Sequence, residues 1–121
     1  MSDNRREALE ALRDKVKAGD DAGFRKANRA AFSTPCQDMA LQLREEHCRH
    51  AYKGSLDAAF ALHDAVLPNM MVRSIIQRGR GRWEATLWPD TGTVNMDNMV
   101  SASNGCRARA LLLADIEALI S

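Results

Sequence analysis

Residues Tyr52–Pro68 read YKGSLDAAFALHDAVLP and contain one helix together with its start and end signals. Gly54 ends the preceding segment, Ser55 can accept a hydrogen bond from a free backbone N–H group of the new helix, and Pro68 stops that helix. The apolar face predicted by the helical period consists of Leu56, Ala59, Phe60, His63, Val66 and Leu67. The chain is helical in pattern before this segment and strand-like after it.

Three helices are predicted upstream of Tyr52. Residues 3–18, about 20–32 and about 35–52 each place apolar side chains at helical spacing. The third of them has a strong start signal, because Thr34 can cap it and Pro35 suits the first helical position. Its apolar positions include His47, whereas Cys48 falls near the solvated side.

Downstream of Pro68 the apolar period changes from about 3.6 to 2. Met70–Arg78, Arg82–Trp88 and Thr93–Ala102 are predicted strands, separated by Gly-containing turns. A last helix follows from about Asn104, and its predicted core face is Ala108, Leu111, Leu112, Ile116 and Leu119.

These elements predict one α+β domain over residues 1–121, in the order α-α-α-α-β-β-β-α. Helices would pack on a three-stranded antiparallel β-meander in an α-β-α sandwich-like arrangement, with the helices on either side of the meander covering one sheet face. Trp88 would point away from that covered face. Two arrangements are compatible with the narrow apolar stripes of the N-terminal helices: these helices cover the second face, or part of that face stays open.

Composition excludes several classes of protein. The 17 basic residues nearly balance the 16 acidic ones, so the formal charge of +1 argues against a strongly basic nucleic-acid coat. No apolar run approaches the length of a membrane span, and the charged N-terminus does not resemble a signal peptide. Cys36, Cys48 and Cys106 form no CxxC motif. We therefore expect a cytoplasmic protein without a disulfide framework, a cofactor or a membrane partner.

Three segments together resemble the phage ABA sandwich domain family: YKGSLDAAFALHDAVLP at 52–68, RWEATLW at 82–88 and ARALLLADIEALI at 108–120. The resemblance covers residues 52–121 as an α-βββ-α core and leaves residues 1–51 as a variable helical part. It implies a phage or prophage origin and no reaction. The chain departs from the family pattern at Asn69-Met70, where Gly-Trp is common, and at Gly105–Arg107, where a proline is usual.

No arrangement of residues predicts catalysis or metal binding. The serines lack a nucleophile elbow, and Ser55 is explained by capping. The carboxylates Asp57, Asp64, Asp115 and Glu117 are explained by the helix dipole or by solvation. His47 and His50 share a helical face, yet no second ligand pair follows, and His63 on its apolar stripe is read as a structural histidine. We therefore expect no catalytic residue, no metal and no enzymatic activity.

Arginine and tryptophan supply the candidate contact residues. Arg78, Arg80 and Arg82 lie on a Gly-rich hairpin, with Arg73 before it, and could contact phosphates or stay solvated. Arg107 and Arg109 open the last helix, where double-stranded RNA-binding domains of the same element order also bind. Trp88 could belong to a protein-binding surface. The full set of candidates is Arg73, Arg78, Arg80, Arg82, Trp88, Arg107 and Arg109.

The sequence favours a non-enzymatic phage or prophage accessory protein that binds a host or phage protein. A counter-defence inhibitor of bacterial immunity is one specific version. The alternative is a nucleic-acid-binding module that uses the Arg78–Arg82 hairpin and the start of the last helix. A homo-oligomer stays open as a further arrangement.

Overall fold

The computed structural model describes residues 3–32, 39–89 and 99–120. The elements in chain order are α1 (Asp3–Ala18), α2 (Asp21–Phe32), α3 (Met39–Tyr52), α4 (Leu56–Val66), β1 (Met70–Gly79), β2 (Arg82–Pro89), β3 (Val100–Asn104) and α5 (Arg107–Ile120). The predicted α+β class and element order are confirmed. The predicted cap at Thr34 and the first part of the predicted third strand, residues 93–98, lie outside the described residues.

The three strands form an antiparallel sheet in the order β1-β2-β3. Ile75 of β1 pairs with Ala85 of β2, which pairs in turn with Ala102 of β3. The register of β1 shifts at Arg73 and again at Arg78, so each of these arginines is an extra residue in the edge strand. The β1–β2 turn uses Gly81 at a φ of +65°, a left-handed conformation that favours glycine.

Helix α5 lies between the sheet and the other helices. It packs on β2 and β3 on one side and on α1, α3 and α4 on the other. Its buried residues are Ala108, Ala110, Leu111, Leu112, Leu113, Ala114, Asp115, Ile116 and Ile120. The predicted core face is therefore too narrow, because a helix with neighbours on opposite sides is buried nearly all round. Leu119 is only half-buried.

The burial of Asp115 is the clearest departure from the sequence prediction. Its side chain is fully buried at the centre of α5, whereas solvation was expected. A carboxylate is normally exposed unless a partner is present, and the sequence pattern of α5 contains no such partner. That partner comes from α4, as described below.

Helix α4 begins where the sequence predicts. The Ser55 hydroxyl accepts a hydrogen bond from the Ala58 backbone N–H at 3.2 Å. The helix packs chiefly on α3 and α5, with Ala59, Leu62 and His63 buried. Phe60 was assigned to the core face but is 37% exposed, because Leu62 occupies the inner position instead.

Helices α1 and α2 follow each other closely in sequence and pack against each other. Asp20 caps α2 by accepting a hydrogen bond from the Gly23 backbone N–H at 3.0 Å, and Lys15 of α1 reaches the same carboxylate at 3.2 Å. These two donors hold the pKa of Asp20 below its ordinary value. Helix α1 then packs on α2 and α5 rather than on the sheet.

Truncation within α5 should destabilise the whole fold. We expect Leu112→Ala to lower the free energy of unfolding by about 2–5 kcal/mol, because the fully buried side chain leaves a cavity beside several elements. Leu119→Ala, at a half-buried position of the same helix, is the matched control and should cost clearly less. Urea unfolding followed by circular dichroism measures both; equal losses would contradict the central position of α5.

Candidate functional site

Within residues 3–32, 39–89 and 99–120, no helix has its main packing contacts on one face of the sheet. Strand alternation and pairing place Met71, Ser74, Ile76, Glu84, Thr86, Trp88, Ser101 and Ser103 on this side, which we call the outer sheet face. The opposite face packs Val72, Ile75 and Leu87 into the core. Each of the helices α1–α4 has its main neighbours among the other helices. Of the two arrangements left open by the sequence, the described N-terminal helices therefore adopt the one that does not cover this face.

Two large apolar side chains are exposed on the outer sheet face. Met71 is 46% exposed and Ile76 is 39% exposed, although both are paired with residues of β2. Trp88 pairs with Met71 across the strands and is half-buried. The guanidinium of Arg73 lies 4.5 Å from the centre of the Trp88 ring, within cation–π distance. Apolar and cationic groups are thus neighbours on this face.

The tip of the hairpin is cationic, and one of its arginines is paired. Arg78 donates to Glu84 through Nε at 3.3 Å and Nη2 at 3.2 Å. Arg80 is exposed at the turn, and Arg82 lines an open hollow along β3. These side chains border the outer sheet face at one end, whereas Arg73 borders it at the other.

Arg107 lies beside the hairpin, as the nucleic-acid alternative requires. Its guanidinium is 5.3 Å from the centre of the Trp83 ring. The two backbones also approach closely here, since a side chain at Gly105 would lie 3.1 Å from the Gly81 carbonyl oxygen. Trp83 and Trp88 point to opposite faces, as alternation predicts.

Arg109 does not join the hairpin arginines. It lies two residues beyond Arg107 and therefore on another side of α5. Its Nε donates to the Tyr52 carbonyl oxygen at 2.6 Å, and its guanidinium stands 4.2 Å from the centre of the Tyr52 ring. The seven candidate residues thus occupy three places rather than one surface.

A pocket surrounds Arg109 where α2, α3 and the start of α5 meet. Its volume is about 290 Å³, and we call it the Arg109 pocket; it is lined by Asp21, Phe24, Arg25, Arg49, Tyr52, Lys53 and Arg109. The sequence does not predict this pocket, because its lining residues come from α2, α5 and the end of α3, which are distant in sequence. Of these residues only Arg109 is a predicted contact residue, and the prediction places it beside the hairpin.

His63 and Asp115 form a buried pair in the core. His63 Nδ1 lies 2.6 Å from Asp115 Oδ1, and His63 Nε2 lies 2.7 Å from the Met70 carbonyl oxygen. The carbonyl can only accept, so Nε2 carries a proton, and a second proton lies between Nδ1 and Oδ1. Both ring nitrogens are therefore engaged, and His63 acts as the structural histidine that its apolar stripe predicts.

The ionisation of this pair follows from its surroundings. Burial raises the pKa of Asp115 to about 6, although the hydrogen bond with His63 opposes the shift. The hydrogen bond to Asp115 raises the pKa of His63, against the effect of burial. The two shifts have the same sign. The folded protein keeps a proton in this pair that the separate side chains would release in water.

Cys48 is also buried, so the prediction that it lies near the solvated side of its helix is wrong. It is fully buried, not close to a solvated face. Burial is the main cause that raises the pKa of its thiol, and the neighbouring charges of Asp115 and Glu45 add to the shift. A protonated, buried thiol is a poor nucleophile. Within the described part of the chain, no group of three or more His, Cys, Asp or Glu side chains could hold a metal ion.

None of the described helices has the length and apolar character needed to cross a membrane. Comparisons of the chain with protein-family models, with curated proteins and with solved structures find no match. The resemblance to the phage ABA sandwich domain family therefore stays a prediction from the sequence.

The buried pair should make stability depend on pH. His63 has a folded pKa above its ordinary 6.5, so its contribution is complete below pH 6.5 and is lost as pH rises through the folded value. The raised pKa of Asp115 acts in the same direction at lower pH. As the pH rises above about 6.5 and through the folded pKa of His63, we expect the wild-type free energy of unfolding to fall, by at most about 1.4 kcal/mol per pH unit for each proton released.

The matched control is the His63→Gln/Asp115→Asn double variant, in which neither position can titrate. Urea unfolding at several pH values should give a smaller slope for this variant than for the wild type. The single variant His63→Gln should be less stable by about 3 kcal/mol, because it leaves the buried Asp115 without its partner. Identical pH slopes in the wild type and the double variant would contradict the assignment.

Proposed function

We propose that this protein is a non-enzymatic binding protein that contacts another protein through its outer sheet face. The observation that carries the proposal is the exposure of Met71 and Ile76 on a sheet face against which no described helix packs. Apolar groups exposed on a strand that is paired within a sheet give a partner a surface to bury. The engaged ring nitrogens of His63 and the buried Cys48 thiol give no support to a reaction.

The charges around this face suggest the chemistry of the partner. Arg73 borders the face at one end, Arg78 and Arg82 border it at the other, and Glu84 is the carboxylate that Arg78 engages. Ser74, Thr86 and Ser101 pair across the middle of the face, so Met71 and Ile76 lie on either side of this hydroxyl row, each near a cationic end. We infer that the partner presents apolar side chains bordered by carboxylates, because opposite charges at the rim favour association and the correct orientation.

The biological setting of this binding rests on the sequence resemblance. A phage or prophage accessory protein would meet proteins of its bacterial host or of a phage during infection. Inhibition of a bacterial immune complex is one activity that a small binding protein without an active site could perform. Binding to a protein surface requires none of the catalytic groups that the sequence lacks.

Substitution on the outer sheet face should abolish partner binding. We expect the Met71→Ser/Ile76→Thr variant to lose a protein that the immobilised wild type captures from the host bacterium. With that protein purified, the affinity should fall at least about tenfold, because apolar side chains that the partner buries carry much of the binding energy. Calorimetry measures the loss, and circular dichroism verifies that the variant is folded.

Phe60→Ser is the matched control, since Phe60 is also exposed and apolar but lies on α4. It should retain the partner. The proposal is wrong if the double variant binds the purified protein as well as the wild type does. It is also wrong if sedimentation shows a homodimer that only the double variant dissociates, because the face would then be occupied by a second copy.

A nucleic-acid interface at the hairpin is the second candidate function. The observation that favours it is the position of Arg107 and Trp83 beside the hairpin that carries Arg80 and Arg82. Arg80 and Arg82 form no ion pair within the described part of the chain, so phosphates could contact them without displacing a carboxylate. Arg109 lies elsewhere and would not contribute.

Fluorescence anisotropy with duplex RNA, duplex DNA and single strands tests this candidate at low and at physiological salt. If it is correct, binding should weaken with salt and disappear in the Arg78→Ala/Arg80→Ala/Arg82→Ala variant, because phosphate contacts release counterions. The control Arg6→Ala/Lys26→Ala/Arg29→Ala removes the same charge from α1 and α2 and should leave binding unchanged. Absence of binding at low salt would eliminate the hairpin interface.

A further inference from the structure

Tyr52 organises the Arg109 pocket, which is separate from the outer sheet face. The Phe24 ring stacks on one face of the Tyr52 ring, with centroids 4.0 Å apart and planes inclined by 10°. The Arg109 guanidinium also packs on this ring, 4.2 Å from its centre, and the Arg109 Nε donates to the Tyr52 carbonyl oxygen. Arg109 is therefore held at two points. Its two terminal nitrogens retain donors in the fork geometry that suits an oxyanion.

Positive charge is concentrated around this fixed guanidinium. Arg25, Arg49 and Lys53 line the same pocket from α2 and α3, so four cations surround one space of about 290 Å³. Arg49 also lies 3.6 Å from Glu46 on the exposed surface, a contact that solvent weakens. The whole chain has a formal charge of only +1, so this density of cations is local.

Among the described residues that line the pocket, the single carboxylate is already engaged. The Tyr52 hydroxyl donates to Asp21 at 2.6 Å, and burial together with this hydrogen bond raises the pKa of Tyr52. Asp21 is thus directed to the tyrosine, and it forms no ion pair with the pocket cations within the described part of the chain. Four cations against one carboxylate leave a surplus of three positive charges.

We propose that the Arg109 pocket binds the phosphoryl group of a small phosphate monoester. A monoester carries about −1.5 to −2 charges at neutral pH, which matches this surplus better than the single charge of a carboxylate does. The volume, close to the roughly 300 Å³ at which ligand pockets begin, leaves space for a small organic group beside the phosphate. This site does not depend on the protein-binding function proposed above.

The aromatic rings argue against a nucleic-acid strand as the occupant. Single strands bind proteins by stacking bases on open aromatic faces. In this pocket Phe24 and Arg109 already pack on Tyr52, and Phe24 itself is 2% exposed. No aromatic face is available for a base, so recognition would depend on the phosphoryl group.

Amide NMR titration of the full chain at low ionic strength tests the proposal. The ligands are inorganic phosphate, glucose 6-phosphate and adenosine 5′-monophosphate, with glucose and adenosine as unphosphorylated controls. A single strand with a 5′-hydroxyl end tests nucleic acid. We expect saturable shifts at Tyr52, Lys53 and Arg109 with at least one phosphorylated ligand, and none with the unphosphorylated controls.

Two exposed cations provide a variant that should still fold. Arg25→Gln/Lys53→Gln should weaken phosphate binding at least about tenfold, because it removes two of the four charges. Arg80→Gln/Arg82→Gln changes the net charge equally at the β1–β2 hairpin, whose residues do not line the pocket, and should leave the affinity within about twofold of wild type.

Several results would overturn the proposal. They are an absence of saturable binding up to about 10 mM ligand, equal losses of affinity in the two variants, and tighter binding of the 5′-hydroxyl single strand than of every monoester. If inorganic phosphate binds as tightly as the sugar and nucleoside esters, the phosphoryl group alone is recognised. If one ester binds more tightly, the organic group contributes too. Either of these two results supports the site.

Discussion

A carboxyl group at the centre of a helix buried on nearly all sides must have a hydrogen-bond partner, and in this protein the Asp115–His63 contact meets that requirement. The bond joins α5 to α4, and the second ring nitrogen of His63 extends it to the Met70 carbonyl oxygen at the start of β1. One imidazole therefore fixes three elements relative to one another. Loss of either partner would leave a buried polar group unpaired, which is far more costly than the loss of a surface contact.

The second oxygen of Asp115 shows how tightly this region is packed. It is buried and has no hydrogen-bond partner among the described residues. An unpaired carboxylate oxygen favours the protonated acid, in agreement with the raised pKa of about 6. Apolar packing around α5 thus has a direct electrostatic consequence, which local sequence patterns do not contain.

The sequence predicts what is determined locally. Ser55 caps α4, the β1–β2 turn contains glycine, and Trp83 and Trp88 point to opposite sides of β2; each of these follows from neighbours within a few residues. The errors concern contacts between distant segments. Asp115 and Cys48 were assigned to solvent because an isolated helix gives no sign of helices packed on its second side.

The two candidate surfaces show the same limit. Open strand positions such as Met71 follow from alternation once the covered face is known, and Trp88 was correctly suspected of lying away from that face. The Arg109 pocket requires that α2, α3 and α5 converge, and no sequence pattern gives that convergence. Arg107 and Arg109, two residues apart, were treated as one group, although the turn of the helix sends them to different surfaces.

The two irregularities of β1 limit how this sheet can meet other chains. An edge strand of ten residues with exposed apolar groups is normally open to continuation of the sheet by a strand from another molecule, a route to aggregation. The extra residues at Arg73 and Arg78 interrupt the regular spacing of hydrogen-bonding groups along this edge and put a cation at each interruption. An incoming strand could not keep register past either point. The sheet can therefore offer its side chains for recognition while its backbone edge resists polymerisation.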